Sequence, residues 1–225
     1  MAYQAFELVR TQITGSTGTA FAHARSVVRL ERWTWTYHEQ RVQRWVLSHR
    51  LLVEAADAYY GTVHFVGPPV VLWWLWRRHG AEYTRWRNVL IVSSLVAMVG
   101  FAVYPLAPPR LMPAAFGFVD TQARFGGLGP LDSGPLKDLN PYAAMPSLHL
   151  AWATWCAFVV AYVGRPRWLK VAAFGYPALT LLVVMGTANH WFLDAVGGWL
   201  VLAVGWALSV HWSRPSGPKE VRTHA

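Results

Sequence analysis

The feature that most constrains this chain is a series of apolar runs, each about as long as a lipid bilayer is thick. A membrane-spanning helix needs roughly 20 mostly apolar residues. Five segments fit that length: Leu51–Trp76, Asn88–Leu106, Pro146–Val163, Trp168–Gly186 and His190–Val210. Only 14% of the 225 residues are charged, whereas a soluble domain carries about 25%. We therefore predict an all-α, polytopic transmembrane helix bundle with five clear spans.

The first 50 residues contain no clean span. Segment 5–24 is interrupted by polar residues, and a sixth span there is an open alternative. Segment 25–50 mixes arginines with Val, Leu and Trp, which is typical of an amphipathic helix lying in the membrane interface; a helix packed on the bundle is the other reading. We divide the chain into an amphipathic region (1–50), a transmembrane bundle (51–212) with an outer loop (107–145), and a basic tail (213–225).

Basic residues in the short connections predict the orientation of the bundle. One group separates the first two spans and another separates the third from the fourth: Arg77, Arg78, Arg85 and Arg87, then Arg165, Arg167 and Lys170. Short loops rich in Lys and Arg face the cytoplasm. The basic tail then lies in the cytoplasm and the 107–145 loop faces outward, in a multi-pass cell-membrane protein. The net charge of +9 favours anionic lipid headgroups over nucleic acid as the partner.

Two histidines are expected to meet at the outer face. His149 and His190 are separated by two membrane crossings and a short turn, so the chain returns to the same side. His190 and Asp194 are four residues apart and share one helical face. A carboxylate that holds one ring nitrogen leaves the other free to act as a nucleophile. This pattern predicts a catalytic group of His190, His149 and Asp194.

An anion site is predicted beside these residues. Arg110 follows the second span and offers a fork of donors suited to phosphate oxygens. Pro146 fits the first turn of a helix, where Ser147 and the free backbone N–H groups favour an anion, and His149 is placed to protonate a leaving oxygen. Phosphoryl transfer can use these groups without a metal ion. We expect no cofactor.

The two motifs that carry this chemistry resemble a known family. Pro146-Ser147-Leu148-His149 and the His-x-x-x-Asp pattern at 190–194 resemble the second and third signatures of the type-2 phosphatidic acid phosphatase superfamily. The Ser-Leu-His form and the runs at 104–110 and 190–198 look most like its inositol phosphorylceramide synthase branch. The resemblance covers about residues 50–205.

The resemblance implies a role for each motif residue. His190 would attack phosphorus and become a phosphohistidine oriented by Asp194, His149 would protonate the leaving group, and Ser147 and Arg110 would hold phosphate oxygens. Two family cations are missing, because Val103 and Val184 occupy their positions. The candidate replacements are loop residues, Arg124 and Lys137.

Polar residues in the first span are candidates for headgroup contacts. Asp57, Tyr60 and His64 fall near one stripe of the predicted helix, together with Glu54. They could hydrogen-bond a polyol or sugar, or form a structural seam between helices.

We interpret the chain as a membrane-embedded lipid phosphate phosphatase or phosphotransferase that works at the extracytoplasmic face through a phosphohistidine. One alternative is a metal-dependent membrane hydrolase with His149, His190 and Asp194 as ligands. The other is a non-enzymatic lipid-binding or transport protein. The expected partners are a lipid phosphate substrate and membrane lipids. The substrate identity, hydrolysis versus transfer, and the oligomeric state stay open.

Overall fold

The computed structural model describes residues 16–125 and 141–212, and within these ranges the chain is helical and has no β-strand. The helices, labelled in chain order, are α1 (Thr17–Trp33), α2 (Glu39–Leu47), α3 (Arg50–Arg78), α4 (Gly80–Val103), α5 (Thr121–Phe125), α6 (Leu148–Val163), α7 (Arg167–Ala173), α8 (Gly175–Gly186) and α9 (Phe192–Trp212). The predicted all-α class is confirmed for these residues. The predicted tail (213–225), most of segment 5–24 up to residue 15, and the middle of the outer loop (126–140) lie outside them.

Three helical stretches of the described chain are long and apolar enough to cross a membrane. They are Gly80–Val103, Arg167–Gly186 (α7 with α8) and Phe192–Ser209. Helix α6 is apolar but shorter, and α3 carries acidic and basic residues along its length. The protein is therefore a membrane protein by its helices, whereas the count of five spans stays a prediction.

The connection between α3 and α4 is tighter than the sequence indicates. The predicted arginine-rich loop belongs to the end of α3 and the first turns of α4, which meet at His79. The His79 amide donates to the carbonyl of Leu75 at 2.7 Å, and the Tyr83 amide donates back to His79 at 3.2 Å. The arginines therefore lie on helices, near the start of α4. Tyr104 caps the opposite end of α4.

The N-terminal region forms two helices instead of one. Helix α1 ends where Thr34 caps it, and Trp35 takes a left-handed backbone conformation with φ of 61°. Ala20, Ala24 and Val27 are buried in a cluster that also contains Trp191. Of the two readings left open by the sequence, packing on the bundle is the one the structure shows for this face.

Glycines let the turn before α6 pack into α4 and α9. A Cβ on Gly100 of α4 would come within 2.6 Å of the Pro146 ring. On α9, a Cβ on Gly197 would lie 3.2 Å from Pro146, and a Cβ on Gly198 would collide with the Ser147 carbonyl oxygen. Because these side chains are absent, the start of α6 lies directly against the first turns of α9.

Candidate active site

Three side chains meet where α6 and α9 begin. His190 Nδ1 lies 3.1 Å from Asp194 Oδ2, and His190 Nε2 lies 3.3 Å from His149 Nδ1. Asp194 is fully buried and His190 is 4% exposed, while His149 is half-buried. A carboxylate only accepts hydrogen bonds, so His190 donates its Nδ1–H to Asp194 and keeps an acceptor at Nε2. The structure thus brings together the three residues that the sequence predicts as catalytic.

Backbone hydrogen bonds fix this group at both helix starts. The Ser147 amide donates to the Asp194 carbonyl at 2.8 Å, which ties the start of α6 to α9. The Trp191 amide donates to Asp194 Oδ2 at 2.9 Å. The His190 amide donates to the carbonyl of Val184 in α8 at 3.2 Å. The imidazole of His190 is therefore held by the end of α8 and the first turn of α9.

Two rings from α3 surround His149. The Tyr60 ring is stacked on the His149 ring with centroids 4.4 Å apart, and the His64 ring centroid is 4.0 Å away. Asp57 accepts a hydrogen bond from the Thr121 hydroxyl at 2.7 Å, so it is joined to α5. Of the three predicted headgroup residues, Tyr60 and His64 thus lie at the histidine pair, and Asp57 connects α3 to the outer loop.

Arg110 lies beside the site and has an ion-pair partner that the sequence did not predict. Its amide donates to the carbonyl of Ala188 at 2.9 Å, two residues before His190. Its guanidinium lies 3.1 Å from Asp120, and its buried Nε has no partner among the described residues. The backbone of Arg110 therefore lies next to the turn that precedes His190, and its guanidinium keeps one donor that no described residue uses.

The predicted replacement cations differ in what the structure shows of them. The Arg124 guanidinium lies over the Phe125 ring, 5.4 Å from its centroid, and its residue is exposed. Lys137 lies outside the described residues. Within the described residues, no contact joins Arg124 to the histidine pair.

The start of α6 differs from the sequence prediction. Pro146 was expected in the first helical turn, but the helix begins at Leu148 and the Met145–Pro146 peptide bond is cis. Ser147 is the N-cap, and its fully buried hydroxyl accepts from the Leu150 amide at 3.4 Å. The physical reason is that a serine hydroxyl satisfies one of the free amides at a helix start. In this conformation Ser147 contributes directly to the position of His149.

Comparison with known families decides which family the chain belongs to. The family model described as the PAP2 superfamily matches residues 25–208. The chain belongs to the PAP2 superfamily. No curated protein and no solved structure gives a significant match. Membership of the PAP2 superfamily indicates a phosphatase-type membrane enzyme with lipid phosphates as the substrate class.

The PAP2 match begins inside α1, so it includes two acidic residues that the sequence analysis missed. Glu31 of α1 and Glu39 of α2 are both fully buried. Glu39 accepts from the Phe192 amide and Glu31 accepts from the Leu193 amide, each at 2.8 Å. The available signal was that Glu31 shares the face of Ala20 in α1, where the other residues are apolar.

The buried carboxyl groups have perturbed acidity. Burial, and after it the charge of Glu39, raises the pKa of Glu31 to about 9. Burial also raises the pKa of Glu39. A buried carboxyl disfavours its charged form, so burial favours the protonated form of each of these groups.

No group of three or more His, Cys, Asp or Glu side chains in residues 16–125 and 141–212 has an arrangement that could hold a metal ion. His190 and Asp194 instead bind each other. The two-histidine, one-carboxylate alternative for this PAP2 protein therefore gains no support from the arrangement of its side chains.

Proposed function

We propose that the protein is a lipid phosphate phosphatase or phosphotransferase that forms a phosphohistidine on His190. The observation that carries this proposal is the chain of hydrogen bonds from Asp194 to His190 to His149, at 3.1 and 3.3 Å. A nucleophile held by an orienting carboxylate and facing a second imidazole is what a two-step phosphoryl transfer needs.

In the first step His190 Nε2 attacks phosphorus and the bond from phosphorus to the lipid oxygen breaks. His149 gives its proton to the departing alkoxide. Asp194 accepts the Nδ1–H and stabilises the positive charge that develops on the ring of His190. In the second step His149 takes a proton from water or an alcohol, and that oxygen displaces His190 from phosphorus. Water gives inorganic phosphate, and an alcohol gives a new phosphate ester.

The spacing of the two imidazoles implies that they separate when the substrate enters. An in-line displacement places the attacking nitrogen and the leaving oxygen on opposite sides of phosphorus. In the structure the lone pair of His190 Nε2 is directed at His149 Nδ1, 3.3 Å away. We therefore propose that a bound phosphoryl group replaces this hydrogen bond and that Tyr60, stacked on His149, guides the ring as it moves.

Arg110 is the proposed phosphate-binding cation. Its backbone contact with Ala188 and its unpaired Nε support this role, because a buried guanidinium nitrogen without a partner is costly and a phosphate oxygen would satisfy it. Ser147 caps α6 and so helps to fix the position of His149. We propose that it supports phosphate binding in this way. Asp57, Tyr60 and His64 are the proposed headgroup side of the site.

We further propose that the site faces outward from the cell membrane. The histidine pair lies where α6 and α9 begin, on the same side of the bundle as the end of α4 at Tyr104. The arginines near His79 lie at the opposite end of α4. The positive-inside rule assigns the arginine end to the cytoplasm. The inositol phosphorylceramide synthase-like branch is supported by the Ser-Leu-His motif and the 104–110 run, and it favours transfer to an alcohol.

A panel of lipid phosphates tests the function. The purified protein is assayed for inorganic phosphate and for lipid products, with and without a polyol acceptor. The phosphoenzyme is trapped with labelled substrate and examined for acid lability, as expected for a phosphohistidine. His190→Asn should abolish both turnover and label, whereas His49→Asn, which changes an exposed histidine, should keep both.

The same assay separates the alternatives. A phosphohistidine enzyme keeps its activity in chelator and loses it in vanadate. A metal-dependent hydrolase loses its activity in chelator. Full turnover in His190→Asn would refute the mechanism. Failure to release phosphate from any lipid phosphate, or to transfer it, would refute the function and leave lipid binding or transport.

A further inference from the structure

Two carboxyl groups from the N-terminal helices hold the first turn of α9. The Oε1 atoms of Glu39 and Glu31 accept the Phe192 and Leu193 amides, both at 2.8 Å. The first four amides of a helix have no partner within the helix, so external acceptors decide how this end is held. The residue that follows Leu193 is Asp194, which orients His190.

The second oxygens of the same carboxyl groups need a hydrogen. Oε2 of Glu31 and Oε2 of Glu39 are both buried, and neither accepts from a donor within the described part of the chain. The two carboxyl groups accept from consecutive amides of the same helix turn, so they lie side by side. An ionised carboxylate can only accept, while a protonated one can donate. One shared proton therefore satisfies both oxygens.

We propose that Glu31 and Glu39 form a proton-sharing carboxyl pair that positions the nucleophile of the enzyme by holding the first turn of α9. The pair does not touch the substrate, so both are positioning residues. The inference rests on the proposed function for its effect on turnover, and on the buried contacts alone for the existence of the pair.

The surroundings of the pair favour a single negative charge. From α9, Asp194 faces the pair and accepts a hydrogen bond from His190. From the turn between α1 and α2, the Tyr37 hydroxyl lies near both carboxyl groups, and the Arg32 guanidinium lies 5.0 Å from the Tyr37 ring centroid. Burial raises the pKa of both glutamates, which supports retention of the proton.

Loss of the shared proton would disturb the site. Two adjacent buried negative charges repel each other, and the amides of Phe192 and Leu193 would then be pulled in different directions. A displacement of about 1 Å at a catalytic group can lower the rate by about 10²-fold. We therefore expect turnover to fall as pH rises through the range in which the pair loses its proton.

Glutamine variants test the pair with little change in shape. Glu31→Gln and Glu39→Gln each place one amide against one carboxylate, which reproduces the donor, the acceptors and the single charge of the protonated pair. The double variant Glu31→Gln/Glu39→Gln has no carboxylate to accept from the inner amide hydrogens. Glu82→Gln is the matched control, because Glu82 is partly exposed on α4 at the other end of the bundle.

Three measurements are made on the full chain in detergent: kcat and KM against pH, thermal unfolding against pH, and infrared absorption of protonated carboxyl groups at neutral pH. Each single glutamine variant should keep kcat near that of the parent and lose the alkaline decline. The double variant should lose roughly 10²-fold in kcat with a smaller change in KM. The protonated-carboxyl band of the parent should disappear in either single variant.

The opposite results overturn the proposal. A double variant as active as the parent, single glutamine variants as impaired as the double variant, or a parent without a protonated-carboxyl band at neutral pH would each exclude a proton-sharing pair. A parent that releases no phosphate from any lipid phosphate refutes the proposed function instead. In that case the infrared band and the unfolding series still decide whether the pair exists.

Discussion

Replacement of Gly198 by alanine tests how the site is assembled. Gly198 lies one turn after Asp194 on α9, and a Cβ there would collide with the carbonyl oxygen of Ser147. It would also lie 3.3 Å from the amide nitrogen of Ala151. Both neighbours are backbone atoms at the start of α6, so neither can rotate away. We expect α6 and α9 to move apart by several tenths of an ångström.

Two opposing effects set the magnitude of this change. Alanine is favoured over glycine in a helix interior by roughly 0.5–1 kcal/mol, while an overpacked contact costs about 1–3 kcal/mol. The net destabilisation is therefore on the order of 1–2 kcal/mol. The shift at Ser147 is passed to His149, two residues later, and we expect kcat to fall by about tenfold or more, since a shift of about 1 Å can cost 10²-fold.

The assay is thermal unfolding in detergent together with turnover of the best lipid phosphate. The matched control is Gly175→Ala, because nothing lies within 4 Å of a Cβ at Gly175. The control should be as stable as the parent and fully active. A Gly198→Ala protein with the stability and kcat of the parent would refute the close packing of α6 on α9, and with it the positioning of His149.

Three further predictions follow from the site. Asp194→Asn replaces a charge-assisted hydrogen bond worth about 1.5–3 kcal/mol and should lower kcat by about 10- to 100-fold at nearly constant KM, with Glu82→Gln unaffected. Arg110→Lys loses the fork of donors and should raise KM for the lipid phosphate, whereas Asp120→Asn, which only frees the guanidinium, should not. Because the pKa of Glu31 is raised from 4.5 to about 9, its contribution to stability is complete below pH 4.5 and is lost as pH rises towards 9; unfolding temperatures of the parent should fall over this window, and those of Glu31→Gln should fall less.

The meeting of His149, His190 and Asp194 was predictable because its geometry follows from chain length and helical period. Two predicted crossings and a short turn return His190 to the side of His149, and a spacing of four residues places Asp194 under the same imidazole. Neither argument needs side-chain packing. The structure accordingly joins these three residues by direct hydrogen bonds.

The contacts of Arg110 and Ser147 were not predictable from spacing. Arg110 pairs with Asp120, which lies in an irregular loop, and no periodic pattern links two loop positions. Ser147 was predicted to hold an anion, and this stays a prediction; the structure adds that its hydroxyl caps α6. Whether the Ser147 hydroxyl caps α6 depends on the exact residue at which the helix begins. Sequence alone gives such boundaries only to within a few residues.

The N-terminal region shows why the boundary at residue 50 does not separate independent parts. Amphipathicity predicted that one face of α1 is apolar, but Glu31 lies on that face and its amide partner is 162 residues away in the chain. Such a contact supplies a hydrogen-bond acceptor to a free amide at a helix start and does not bury apolar surface. The periodicity of apolar residues therefore cannot predict it. Because the first turn of α9 takes acceptors from both α1 and α2, the N-terminal helices and the histidine pair form one structural unit, in keeping with a family match that starts at residue 25.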